Sequence, residues 1–159
     1  MQISLFTKKI RLPNGNSVTL ELIEHPGAVL IIPFKNRDKI ILLRQFRPVI
    51  NSYLYELPAG TLKKGERPQA CARREIKEET GFAAGKINRL GIIYPVPGYS
   101  TEKITIFKAE KLDKVDSSPE YDEVISTMIV TKGKVKRLFN TGKITDAKTI
   151  SAFAMCGWL

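Results

Sequence analysis

Three glutamates, Glu75, Glu78 and Glu79, stand at i, i+3 and i+4 within the stretch GTLKKGERPQACARREIKEETGF, residues 60–82. On a helix, where successive residues turn by about 100°, this spacing gathers the three carboxylates into one sector. Like charges so placed weaken a surface helix by about 0.2–0.5 kcal/mol per pair. Such a cluster is either a solvated acidic face or a divalent-cation site, in which the ion cancels the repulsion and the carboxylates become oxygen ligands. The rest of the chain narrows the choice of metal. There is one histidine, His25, and there are two cysteines, Cys71 and Cys156, without zinc-type spacing. Any metal is therefore held mainly by carboxylates and carbonyls, which favours Mg²⁺ or Mn²⁺ over zinc. His25 precedes Pro26-Gly27 and reads as a turn residue, and the cysteines read as small buried or half-buried side chains.

The element that must carry the glutamates is a helix over 67–80. Pro68 lies in its first turn, strong helix formers follow, and Gly81 supplies the stop. Ala72 and Ile76 fall beside the acidic sector and can bury against a sheet, while Arg73 and Lys77 point elsewhere. Strands are expected at 2–11 and 17–24 around the turn Pro13-Asn14-Gly15-Asn16, where Asn-Gly is a strong hairpin signal. Further strands are expected at 28–34, 39–46, 53–57, 87–94, 103–109 and 123–130, and helices near 132–139 and 147–156. The run Ile40-Ile41-Leu42-Leu43 is apolar on both faces, so that strand should be central and covered on both sides. Strands and helices mix without strict β-α-β alternation, which points to an α+β fold, an α/β/α sandwich, and not to a Rossmann sheet.

At 159 residues, with 43% hydrophobic and 26% charged, the chain suits one globular domain. It contains no low-complexity segment, repeat or linker, so 1–159 reads as a single unit, a hairpin over 1–24 and a core over 25–159. No apolar run approaches the roughly 18 residues of a membrane span. The N-terminus lacks a signal peptide's apolar stretch, so a cytoplasmic protein is expected. Lys plus Arg number 26 against 16 acidic residues, a net charge of +10. Such an excess attracts anions. The basic residues are scattered, however, so the charge fits solubility and the steering of an anionic substrate better than a dedicated nucleic-acid role.

The glutamate segment resembles the Nudix box, G-x5-E-x7-R-E-U-x-E-E-x-G-U, with U a bulky apolar residue. Gly60, Glu66, Arg74, Glu75, Ile76, Glu78, Glu79 and Gly81 all fall into place, and Phe82 is aromatic where an aliphatic residue is usual. The resemblance implies a Nudix hydrolase, in which a mixed β-sheet lies between helices and a loop-helix-loop segment holds the metal. By position it implies Glu75 and Glu79 as Mg²⁺ ligands, Glu78 as a further ligand or water contact, and the Ala59 carbonyl as a contributor. Arg74 would orient the glutamates, and Glu66 would be structural. The implied chemistry is hydrolysis of a pyrophosphate within a nucleoside diphosphate joined to another group.

Features outside the box resemble the ADP-ribose pyrophosphatase branch. They are His25-Pro26-Gly27-Ala28-Val29, Arg44-Gln45-Phe46-Arg47-Pro48, Tyr55-Glu56-Leu57-Pro58-Ala59-Gly60 and Asp146-Ala147-Lys148-Thr149. Pro97, sixteen residues after Gly81, matches the branch's marker proline. That resemblance implies hydrolysis of ADP-ribose to AMP and ribose 5-phosphate. It implies Arg47 as a phosphate ligand, since a guanidinium fork suits phosphate oxygens, with a plain surface arginine as the alternative. Glu56 would join the metal or phosphate network, and the loop with Gly98 and Tyr99 would lie over the substrate. Tyr99 reads equally as a stacking ring and as a loop anchor. The catalytic base is sought in Glu120-Tyr121-Asp122-Glu123, with Glu123 first and Glu120 and Glu102 behind it; an exposed acidic turn is the other reading. By analogy with the branch, residues 1–24 would pair two copies into a homodimer. Another nucleoside diphosphate sugar, a catalytically silent nucleotide sensor and an RNA-directed protein are the competing functions. The intact Glu75, Glu78 and Glu79 argue against the sensor.

Overall fold

The chain opens with an antiparallel hairpin of β1 (Leu5–Arg11) and β2 (Ser17–Ile23). Its turn places Gly15 at φ 87°, the left-handed backbone that Asn-Gly sequences supply at little cost. The computed structural model describes residues 5–116, 121 and 123–159. The hairpin forms its own two-stranded sheet. It leaves Leu5, Phe6 and Leu20 exposed. Its last residue pins it to the 97–101 loop, through Ile23 N–H to the Tyr99 carbonyl (2.8 Å) and Thr101 N–H to the Ile23 carbonyl (3.0 Å).

Strand β3 (Ala28–Pro33) has no polar residue and is buried throughout. Because strand side chains alternate, Leu30 and Ile32 enter one core while Val29 and Ile31 enter another. Next come β4 (Lys39–Arg47), a short 3-10 turn at Pro48–Ile50, β5 (Ser52–Glu56) and β6 (Ala59–Thr61). Helix α1 (Pro68–Thr80) leads into the long β7 (Phe82–Ile93) and β8 (Ile104–Lys114). The chain closes with β9 (Ile125–Thr131), α2 (Lys132–Asn140) and α3 (Ala147–Met155).

A four-stranded sheet runs β6-β3-β8-β7 and a three-stranded sheet runs β5-β4-β9. Within the larger sheet β3 and β8 pair parallel and the other neighbours antiparallel, which makes it mixed. One core lies between that sheet and the Cys71, Ala72, Ile76 face of α1. The other gathers Leu30, Ile32, Ile106, Ile40 and Leu42 with Val135 of α2 and Phe153 of α3. The expected sandwich of strands between helices is present, but its strands divide into two sheets. After β3 the chain turns back through the Phe34–Ile40 bridge, and β4 pairs with β5 and β9 and not along β3. As its sequence requires, Ile40 to Leu43 are buried in the central strand of that second sheet. Among the described residues no helix is long and apolar enough to cross a membrane.

Candidate active site

Helix α1 fixes the direction of the glutamates by burying the face that adjoins them. Cys71, Ala72 and Ile76 are fully buried against the sheet, which turns Glu75, Glu78 and Glu79 toward β6. Gly81 ends the helix at φ 70°, its N–H donating to the Lys77 carbonyl, a left-handed cap that glycine adopts without strain. At the other side of the site, Gly60 is required by close approach. A Cβ there would sit 1.8 Å from Glu75 Oε1, closer than any non-bonded pair allows.

Arg74 organises the cluster. Its Nε and Nη2 donate to the two oxygens of Glu66, each at 3.0 Å, and its Nη1 donates to Glu75 (2.6 Å) and Glu78 (3.0 Å). Glu66 also accepts from the Lys63 N–H at 2.9 Å. The Arg74 hydrogen bond holds the Glu66 carboxyl down at about 2, while Glu66 and its acidic neighbours hold the guanidinium firmly charged. Burial pushes Glu75 up to about 7; Arg74 opposes the shift, and Glu78 and Glu123 reinforce it. Burial likewise raises Glu79 well above the usual carboxylate range, with the charges of Glu123 and Glu75 adding to it. Glu79 is 6% exposed, and its Oε2 accepts from the Ala59 N–H at 3.0 Å.

A second network lies beside the first. Arg47, at the end of β4, grips Glu56 of β5 with both arms of its fork, Nε to Oε1 at 2.7 Å and Nη2 to Oε2 at 2.6 Å. Lys148 Nζ donates to the same Glu56 Oε2 and to Asp146 Oδ1, the latter at 2.7 Å. Asp146 also caps α3, its Oδ2 accepting from Thr149 N–H at 3.0 Å. Glu56 is fully buried. Burial pulls its carboxyl upward, yet the hydrogen bonds and charges of Arg47 and Lys148 outweigh that and hold it below its ordinary value.

Two cavities meet at Arg47, Ala59, Gly60 and Thr61. One, of about 290 Å³, is completed by Lys63, Arg74, Glu75, Glu78 and Glu123. The other, of about 380 Å³, continues past His25, Pro95, Glu102, Asp146 and Lys148. Of the residues singled out in the sequence, Arg47, Ala59, Arg74, Glu75, Glu78 and Glu123 thus converge on one cleft, with Glu79 buried directly behind Ala59. Glu56 stands behind Arg47 and does not line the cleft. Gly98 and Tyr99 line neither cavity: the Tyr99 carbonyl accepts from the Ile23 N–H, and Tyr99 is 55% exposed. Glu102 lies in the second cavity, 3.9 Å from His25 Nε2, and Glu120 and Asp122 lie outside the described residues. His25 is the turn residue its sequence suggests, with Nδ1 accepting from Gly27 N–H at 3.0 Å. Lys148 and Asp146 had no role assigned from sequence; the one signal was the Asp146-Ala147-Lys148-Thr149 match.

The donor set fits a divalent cation. Burial raises the half-buried Glu75 and the buried Glu79, with Glu78 and Glu123 adding to the first and Glu123 and Glu75 to the second, so nearby positive charge is what their ionised forms lack. Among the described residues no three acidic, histidine or cysteine side chains already converge as a ready-made cage. Arg74 takes up one oxygen of Glu75 and one of Glu78.

A family model described as the NUDIX domain matches residues 24–151. The chain belongs to the NUDIX family. This NUDIX hydrolase is 37% identical over 152 residues to the ADP-ribose pyrophosphatase of Bacillus subtilis (strain 168), covering 94% of this chain and 82% of that protein. It is 32% identical to the methanol dehydrogenase activator of Bacillus methanolicus, with the same coverage of 94% and 82%. Among solved structures, one described as an ADP compounds hydrolase superposes with a TM-score of 0.83 at 24% identity. It covers 97% of this chain and 84% of its own, a likeness of fold. NUDIX hydrolases generally use a divalent metal, in keeping with the donor set described above.

Proposed function

We propose that this NUDIX hydrolase cleaves the pyrophosphate of ADP-ribose with Mg²⁺, or with Mn²⁺ in its place, to give AMP and ribose 5-phosphate. The observation that carries this reading is the convergence of Arg47, Glu75, Glu78 and Glu123 on one cavity beside Gly60. The chain's likeness to an ADP-ribose pyrophosphatase over most of its length supports the choice of substrate.

The substrate carries adjacent negative phosphates that repel an incoming nucleophile. Glu75, Glu78, Glu79 and the Ala59 carbonyl are the groups that would hold the metal. When bound, it neutralises phosphate charge and makes water more acidic. Arg47, pre-set by Glu56, presents its remaining N–H groups to phosphate oxygens. Arg74 holds Glu75 and Glu78 in place, anchored in turn by Glu66. Glu123 accepts the proton of the attacking water. The water oxygen bonds to one phosphorus, the bridging P–O bond breaks, and the other phosphate leaves with the bridging oxygen. Positioning and electrostatics of this kind supply most of the catalysis in phosphoryl transfer.

In the same reading two copies pair through the β1–β2 hairpin, whose Leu5, Phe6 and Leu20 are exposed, and the enzyme works in the cytoplasm. The test is a Mg²⁺-dependent panel of ADP-ribose, ADP-glucose, GDP-mannose, NADH, diadenosine polyphosphates and a 5′-triphosphate RNA, with released products identified. Preferred conversion of ADP-ribose to AMP and ribose 5-phosphate is expected. Preference for another compound would overturn the substrate and keep the hydrolase. Sedimentation of the full chain against a variant with Leu5, Phe6 and Leu20 replaced by serine tests the pairing, and an unchanged mass would remove the hairpin from it.

A further inference from the structure

The geometry points to Lys148 as a second phosphate-binding cation of the cleft, acting beside Arg47. The inference rests on the pyrophosphate reading above but not on the identity of the sugar. Lys148 sits in the first turn of α3, remote in sequence from the Nudix box, yet it lines the same cavity as Arg47, Ala59, Gly60 and Thr61. Arg47 also lines the carboxylate cavity. A diphosphate whose reacting phosphorus lies among the glutamates therefore extends past Arg47 toward Lys148.

The hydrogen-bond inventory leaves a donor for it. An ammonium has three N–H groups. Lys148 commits one to Glu56 Oε2 and one to Asp146 Oδ1, and among the described residues no third acceptor is engaged. Its side chain is 19% exposed, against 1% for Glu56. The head thus reaches solvent through the cavity while its carboxylate partners fix it from behind. Glu56 is the shared anchor, since one buried carboxylate aims both the Arg47 fork and the Lys148 ammonium. Together Arg47 and Lys148 balance Glu56 and Asp146 in charge. An entering diphosphate then meets donors whose side-chain entropy is already spent.

The test compares wild type with Lys148→Met, which keeps the aliphatic stem, and Lys148→Arg, which keeps the charge. Two readouts are taken: steady-state kinetics with Mg²⁺, and calorimetric binding of an α,β-methylene analogue of ADP-ribose without divalent cation. Loss of one charge-assisted hydrogen bond predicts that Lys148→Met raises KM and weakens analogue binding by roughly ten- to a hundredfold. The turnover at saturation should fall by less than about threefold, and Lys148→Arg should recover most of the binding. Unchanged KM and binding in a folded Lys148→Met protein would overturn the inference. So would an equal loss of turnover and melting temperature that Lys148→Arg does not repair, because that marks a purely structural tie. If wild type itself ignores ADP-ribose, the substrate assignment fails separately. Titrating the three proteins with inorganic pyrophosphate then decides the role of Lys148, with equal affinities ruling it out.

Discussion

Glu79 is the most enclosed of the three α1 glutamates, 6% exposed and tied to the Ala59 N–H, so changing its charge should affect chemistry before it affects the fold. Glu79→Gln keeps an acceptor for that N–H and removes a buried charge. We expect turnover to fall by orders of magnitude while the melting temperature holds or rises; near-normal turnover would remove Glu79 from the metal site. Arg47 behaves differently because it serves substrate and structure together. Arg47→Ala should raise KM and also destabilise, since Glu56 keeps only Lys148 as a partner for a fully buried carboxylate. Leaving a buried group under-satisfied costs about 1–3 kcal/mol, so chemical denaturation alongside kinetics should show both losses. An unchanged KM would confine Arg47 to the structural role. At this scale the box glutamates and Arg47 are legible in the sequence because spacing along a helix and motif position place them. Lys148 is not, because its partnership with Glu56 spans 92 residues and exists only once α3 docks beside β5.

Helix α1 is legible for physical reasons: a proline in its first turn, a run of strong helix formers and a terminal glycine leave little else for 68–80 to do. Gly81 is its most exacting position. Gly81→Ala forces an L side chain to φ 70°, a left-handed backbone that costs about 1–2 kcal/mol. We expect a fall of about 2–8 °C in melting temperature for a chain of this size; a fall under 1 °C would mean that the helix end relaxes freely. The strands were legible unevenly. Strand β6, only Ala59–Thr61, has no alternation to detect and exists because the edge of β3 offers it partners. Strand β7 starts at Phe82, several residues before its β-branched stretch. Ala83 and Ala84 carry little strand propensity of their own and are recruited by Asp113 and Leu112 across the sheet. The first of these matters for the site, because β6 carries Ala59 and Gly60.

For the molecule as a whole, the glutamates of one site pull stability in opposite directions with pH. Glu75 sits near 7 when folded against an ordinary 4.5. Between those values the folded protein keeps a proton that the unfolded chain has released, so stability falls as pH rises. Glu66, held at about 2, contributes stability that is present above 4.5 and lost as pH falls toward 2. The cation-free protein should therefore melt highest near pH 4.5–5. Added Mg²⁺ or Mn²⁺ should raise the melting temperature more at pH 7.5 than at pH 5, because ligation needs the ionised carboxylates. Fluorimetric melts with EDTA or metal test this, and an equal gain at both pH values would contradict it. Strand β3 bears on a different property. Its side chains alternate between the two hydrophobic cores, so it is a party wall, and neither compartment can lose it without opening the other. The core over 25–159 should consequently absorb heat in one peak whose calorimetric and van't Hoff enthalpies agree. A partly melted molecule that keeps one compartment closed has no structural basis here, whereas the hairpin, a separate sheet tied to the 97–101 loop, can fray without opening either.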